Sequence, residues 1–149
     1  MTHPASYDGD VAAWADEQAA HIRAGRLDRL DLEHIAEEIE SVRISERREI
    51  ASRLAVLLAH LLKWQHQPQR RGASWDATIR EQRQRIERRL RKMPSLRPML
   101  SDPDDIADAW GDAVTAAVAE TGMERIAFPE TCPWPLQDAL REGWIPPGS

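Results

Sequence analysis

Apolar residues recur at three-and-four spacing along every long segment of this 149-residue chain, and no segment alternates as a strand would. Val11, Trp14, Ala15, Ala19 and Ile22 define a first helix, from a cap at Asp8 or Asp10 to Ala24, with Gly25 as its stop. Leu32, Ile35, Ala36, Ile39 and Val42 define a second, beginning after Asp31. Ser45 reads as the N-cap of a third, with Glu46 and Glu49 favoured by the dipole of its first turns. Ile50, Leu54, Leu57, Leu58, Leu61, Leu62 and Trp64 give it a stripe that Val56 and Ala59 widen, so it reads as the central helix. Pro68 ends it.

After a connector at residues 67–73, a fourth helix runs from Ser74 to Met93 on a narrow stripe of Trp75, Ile79, Ile86, Leu90 and Met93, and Pro94 breaks it. Asp102-Pro103 is a cap-plus-proline start for a fifth, whose face is Ile106, Trp110, Ala113, Val114 and Ala117 and which ends near Gly122. The remainder, Phe128-Pro129, Cys132-Pro133-Trp134-Pro135, a short helix around Leu136 to Glu142 and Trp144-Ile145-Pro146-Pro147, reads as a tail draped over the helices. The expectation is an all-α, single-domain bundle of about five main helices over residues 1–149, with a core at about 7–145 and a packed Pro/Trp-rich C-terminal tail.

Composition narrows the class. No apolar run reaches the ~18 residues of a membrane span. The start, Met1 to Asp8, lacks the charged and apolar regions of a signal peptide. A single cysteine, Cys132, excludes an internal disulfide and a multi-cysteine zinc site, and a cytoplasmic protein is the expectation. The net charge of -5 hides segregation. Residues 1–40 carry 3 basic and 10 acidic side chains, residues 41–98 carry 15 and 5, and residues 99–149 carry 2 and 10. Two readings stay open: acidic helices neutralising a basic one inside the molecule, or a basic face for a polyanion.

A few polar residues fall inside apolar stripes. Gln18 lies between Val11 and Ile22, and Gln82 between Ile79 and Ile86. A buried amide costs about 1–3 kcal/mol unless its hydrogen bonds are met, so each needs partners or faces a polar cavity. Glu46, Arg53, His60 and Gln67 repeat every seven residues along the third helix, and Glu33, Glu37 and Glu40 form an edge on the second. If these edges meet, the result is an ion-pair seam, or a His60 tuned by a glutamate as a general base. The candidate polar pocket is therefore Glu33, Glu37, Arg53, His60, Trp64, Arg71, Trp75 and Gln82.

The candidate anion-binding set is Arg70, Arg71, Arg80, Arg83 and Arg88, with Trp64 and Trp75 able to stack on bases unless they belong to the core. The arginines of the basic block wrap the other three quarters of the fourth helix, where a solvated face is also expected. No metal site is expected. Asp31-x-x-His34 occurs once and with the wrong acid for a di-metal bundle, and no His-x-x-x-His exists. The 7 glycines are scattered, so no phosphate-cradling loop and no cofactor are expected.

Leu30 to Glu40, then Ser45-Glu46-Arg47-Arg48, His60 to Gln65, Gln67-Pro68, Arg71, Ser74-Trp75 and Thr78-Ile79-x-x-Gln82-Arg83 resemble the signature of a bacterial helical family, domain of unknown function number 29. Phe128 to Trp134 is similar to that family's closing motif, and the resemblance spans about Tyr7 to Ile145. It implies a small all-helical cytoplasmic bundle with no established activity and no assigned catalytic or binding residues.

No catalytic constellation is complete, so the leading expectation is a non-enzymatic binding or interaction module, with a homo-oligomer as one form of it. Nucleic-acid binding through the basic helix at 70–92 is a second reading. A hydrolytic or metal-dependent enzyme built on His60 and a glutamate is a third.

Overall fold

A computed structural model describes residues 4–149. The Met1-Thr2-His3 start, read above as part of a leaderless terminus, lies outside the described residues. Five α-helices follow in order: α1 (Val11–Arg23), α2 (Leu32–His66), α3 (Ala73–Lys92), α4 (Pro103–Thr121) and the single turn α5 (Leu136–Ala139), with short 3-10 turns between them. The chain is all-helical, with no strand among the described residues. None of these helices is long and apolar enough to cross a membrane.

The second and third predicted helices are one. Residues 32–66 form a continuous helix of 35 residues, and Ser45 lies in its interior rather than at a cap. The physical reason is the absence of a breaker. No glycine or proline lies between Leu32 and His66, and an interior serine costs only about 0.5 kcal/mol relative to alanine. Ser41 avoids competing with the helix by donating its hydroxyl to the Glu38 carbonyl at 2.7 Å.

Contacts divide the chain into two compact units, Met1–Glu46 and Arg47–Ser149. In the first, Asp10 caps α1 by accepting from the Ala13 N–H at 3.0 Å, and Gly25 adopts the positive φ of 73° that reverses the chain. The buried face of α1 is Trp14 and Gln18, while the expected Val11 and Ile22 are exposed. The Gln18 amide oxygen accepts from the Asp31 N–H at 2.8 Å, so its burial is compensated. Along the start of α2 most of the expected apolar stripe is exposed, Leu32, Ile39 and Val42 at 68%, 67% and 65%, while Ile35 is half-buried.

The second unit is a helical bundle with one core. Ile50, Leu54, Leu57, Leu58, Leu61 and Leu62 of α2 meet Ile79, Ile86 and Leu90 of α3 and Trp110, Ala113, Val114 and Ala117 of α4. Asp102 caps α4 by accepting from the Asp104 and Asp105 N–H groups, with Pro103 at its first position. Phe128, Trp134, Leu136, Ala139 and Leu140 join the same core, so the Pro/Trp-rich tail is packed on the bundle. Trp134 bridges Trp110 and Trp144 in edge-to-face pairs at 5.4 and 5.7 Å.

A basic groove beside α3

The C-terminal segment is fastened to α3 by one arginine. Arg83 is buried, and its Nε donates to the Ala139 carbonyl at 2.8 Å while Nη2 donates to the Trp144 carbonyl at 2.5 Å. Burial pulls its guanidinium below the ordinary value, and the charges of Asp76 and Glu142 oppose that. Arg83 is therefore a structural clamp, correcting its place in the solvent-facing anion-binding set.

The strip held by that clamp forms one wall of a groove of about 650 Å³. Its other wall is a face of α3 running from Asp76 through Arg80, Gln84 and Arg88 to Arg91. Its apolar surface comes from Trp64, Ile79, Leu140, Trp144 and Ile145. Arg88 and Arg91 have no hydrogen-bond or ion-pair partner among the described residues. Arg80 pairs with Asp76 at 3.1 Å, and Glu87 with Arg97 at 3.3 Å. The groove thus offers unneutralised guanidinium groups over an apolar and aromatic floor, with carboxylates at Asp76, Glu87 and Glu142 along its lining.

Of the expected polar pocket, the structure joins some members and separates others. Arg53 pairs with Glu49 at 2.8 Å and donates to the Gln82 amide oxygen at 3.4 Å, a seam between α2 and α3. Gln82 is half-buried and has this partner. Arg71 donates from Nε to the Trp64 carbonyl at 2.6 Å and lies over the Trp64 ring at 5.3 Å. Trp75 is covered by the buried Lys63 ammonium at 5.2 Å, which pairs with Glu120. Both tryptophans are half-buried, short of full core burial. The Trp64 indole N–H is buried without a partner, as is Nε of Arg53.

In the sequence Glu33 and Glu37 read as lying on a different helix from Arg53 and His60. One uninterrupted helix carries all four, and Glu37 and His60 stand about six turns apart along it. The His60 Nδ1 instead meets the Val56 carbonyl at 2.9 Å. Burial pushes its pKa down, and the Val56 contact and Glu120 partly oppose this. Among the described residues no group of three or more His, Cys, Asp or Glu could hold a metal. Burial also pushes the Cys132 thiol up, which works against a nucleophilic thiolate.

In the first unit Asp31 and His34 form a tight pair at 2.7 Å, and Trp14 Nε1 donates to the same carboxylate at 3.0 Å. Tyr7 stacks on the His34 ring at 4.2 Å and donates to Glu38 at 2.5 Å. The Asp31 hydrogen bond raises the His34 pKa, and the His34 hydrogen bond lowers that of Asp31. The same logic at Glu38 pushes the Tyr7 phenol up to about 12. Asp31-x-x-His34 thus forms a clasp at the start of α2.

Trp64, Arg80 and Arg88, candidate residues of two different sets in the sequence, line one groove that the sequence reading did not anticipate. Its other wall, Leu140 to Ile145, is contributed by a tail that periodicity does not describe. The available signal was Trp144-Ile145 following Gly143, large apolar residues after a positive-φ turn of 78°.

The fold is all-helical, and beside α3 it carries a groove lined by arginines, carboxylates and aromatic side chains. Its family is shown by residues 6–145, which match the model for domain of unknown function DUF29; the chain belongs to that family. No curated protein and no solved structure matches it.

Proposed function

We propose that this protein is a non-enzymatic interaction module whose α3 groove takes an acidic segment of protein carrying apolar side chains. The observation that carries the reading is Arg88 and Arg91, unpaired and adjoining an apolar floor of Ile79, Leu140 and Trp144. Guanidinium groups beside apolar surface suit carboxylates set among leucines or isoleucines, as on an amphipathic helix laid in a groove. Asp76, Glu87 and Glu142 sit in the same lining and work against a continuous phosphate backbone. Arg83 and Arg71 are already committed to carbonyls, which leaves the nucleic-acid reading fewer cations. The reading places the protein in the cytoplasm, a setting that suits the lone thiol of Cys132.

Calorimetric titration tests this with two probes at low salt: an acidic helical peptide with leucines at three-and-four spacing, and a single-stranded oligonucleotide of equal charge. The peptide is expected to bind more tightly, and Arg88→Ala with Arg91→Ala to weaken it about tenfold or more, from loss of two charge-assisted contacts. A peptide that fails to bind at low salt, or an oligonucleotide that binds tighter, overturns the reading.

A further inference from the structure

The groove is one half of a complementary pair, and the chain also carries the other half. The start of α2 exposes Leu32, Ile39 and Val42 on one face; Glu40 and Glu33 lie about 80–100° round the helix from Leu32, to one side of that face, with Arg43 between. At helical spacing this is an amphipathic stripe that no described residue covers, and an exposed apolar strip rimmed by charge marks a docking surface. The charges are opposite in kind to the groove. Met1–Glu46 carries four basic and eleven acidic side chains, a net of -7, while Arg88 and Arg91 leave the groove with unpaired positive charge. The stripe is also short enough to lie within the groove. At about 1.5 Å per residue, Leu32 to Val42 extends about 15 Å, and the groove wall from Asp76 to Arg91 about 22 Å.

We infer that the groove's occupant is a second copy of this chain: the exposed Leu32–Val42 stripe of one copy seats in the α3 groove of the other. Glu33 and Glu40 then lie against Arg88 and Arg91, and Ile39 against the apolar floor formed by Ile79, Leu140 and Trp144. Exchange in both directions closes a two-fold dimer, the commonest form of homo-oligomer. This rests on the groove's proposed preference for acidic amphipathic segments and adds the identity of the partner.

Light scattering after size exclusion of the full chain at low salt tests it, with circular dichroism on each variant to show retained helix. The expected mass is twice the 16.9 kDa of the chain, falling toward one chain as salt rises. Ile39→Glu, the pair Arg88→Glu with Arg91→Glu, and the pair Glu33→Arg with Glu40→Arg are each expected to give monomers of unchanged helicity. Mixing the two charge-reversed pairs is expected to restore a dimer, because each reversed stripe then meets a reversed groove. A wild-type monomer at every concentration overturns the inference. So does a dimer that survives groove reversal, since the stripe would then be pairing with itself. A synthetic peptide of residues 31–46 separates the two levels. Its Arg88-dependent binding to a monomeric chain upholds the groove's preference while rejecting the second copy. Its failure to bind, beside a dimer lost on Arg88 reversal, rejects the groove's preference for a free acidic segment instead.

Discussion

Arg83 shows how much one side chain can hold. Its guanidinium supplies donors to two carbonyls, Ala139 and Trp144, in a segment with few other ties to α3. Hydrogen bonds from a charged donor are worth about 1.5–3 kcal/mol each, and removing the donor also strands two partly buried acceptors. Arg83→Ala is expected to cost about 2–4 kcal/mol in urea unfolding. Arg83→Lys should recover little of it, because one ammonium cannot present the planar fork that reaches both carbonyls. The histidines make a second test at this scale. His34 is held up by Asp31 and His60 is pushed down by burial, so the two should titrate on opposite sides of the ordinary value of 6.5. Ring-proton NMR against pH reads both, and Asp31→Asn should bring His34 back toward 6.5 while leaving His60 unmoved. The linkage signs follow. A raised His34 pKa contributes stability that is complete below 6.5 and is lost as pH rises through the folded value. The lowered Asp31 contribution is present above 3.8 and is lost as pH falls through its folded value. The first unit should therefore be most stable in the mildly acidic window between them, and loosen above it. Equal stability of wild type and Asp31→Asn across that window would show the clasp to be inert.

At the scale of the element, α2 is where sequence and structure part. The stripes of both its halves were legible, and Pro68 and Asp31 marked its ends, yet Ser45-Glu46 carries the local chemistry of a cap without acting as one. A serine preceding glutamates can begin a helix or simply sit in one. Which occurs depends on whether the preceding residues have a reason to stop, and residues 32–44 have none. Ser45→Ala discriminates. Loss of a cap would destabilise by about 1 kcal/mol, whereas in a helix interior alanine should stabilise by about 0.5 kcal/mol. A gain in thermal midpoint is the expected outcome. The reading at Ser45 also shaped the candidate site. A turn there would have brought Glu33 and Glu37 back over Arg53 and His60, and the tuned-histidine pocket depended on that turn. By contrast α4 was read from its face of Ile106, Trp110, Ala113, Val114 and Ala117, all buried but the half-buried Ile106, and Asp102-Pro103 and Gly122 fix both its ends by backbone geometry.

At the scale of the molecule, burial is distributed unevenly between the two units, and that has a measurable consequence. The contiguous core, from Ile50 to Leu140, lies wholly in Arg47–Ser149. In the described part of Met1–Glu46 the only buried side chains are Trp14 and Gln18, one of them polar. No composition count reveals this, because Val11, Ile22, Leu32, Ile39 and Val42 have the spacing of core residues and are exposed all the same. Periodicity says which residues share a face and is silent on whether anything covers it. A unit closed around one tryptophan and a clasp of Asp31, His34 and Tyr7 has few apolar contacts to break, so its amides should open at much lower free energy than those of the bundle. Native-state hydrogen exchange should find α1 exchanging through local opening, while Leu57 to Leu62 and Ala113 to Ala117 exchange only with global unfolding. Trp14→Ala sharpens the test, since truncating a buried tryptophan costs about 3–5 kcal/mol. It should abolish protection in α1 while the exchange of residues 54–62 and 113–117 stays as in wild type. Loss of protection in both sets together would mean that the two units unfold as one cooperative body, and that the stability of the bundle depends on the first 46 residues.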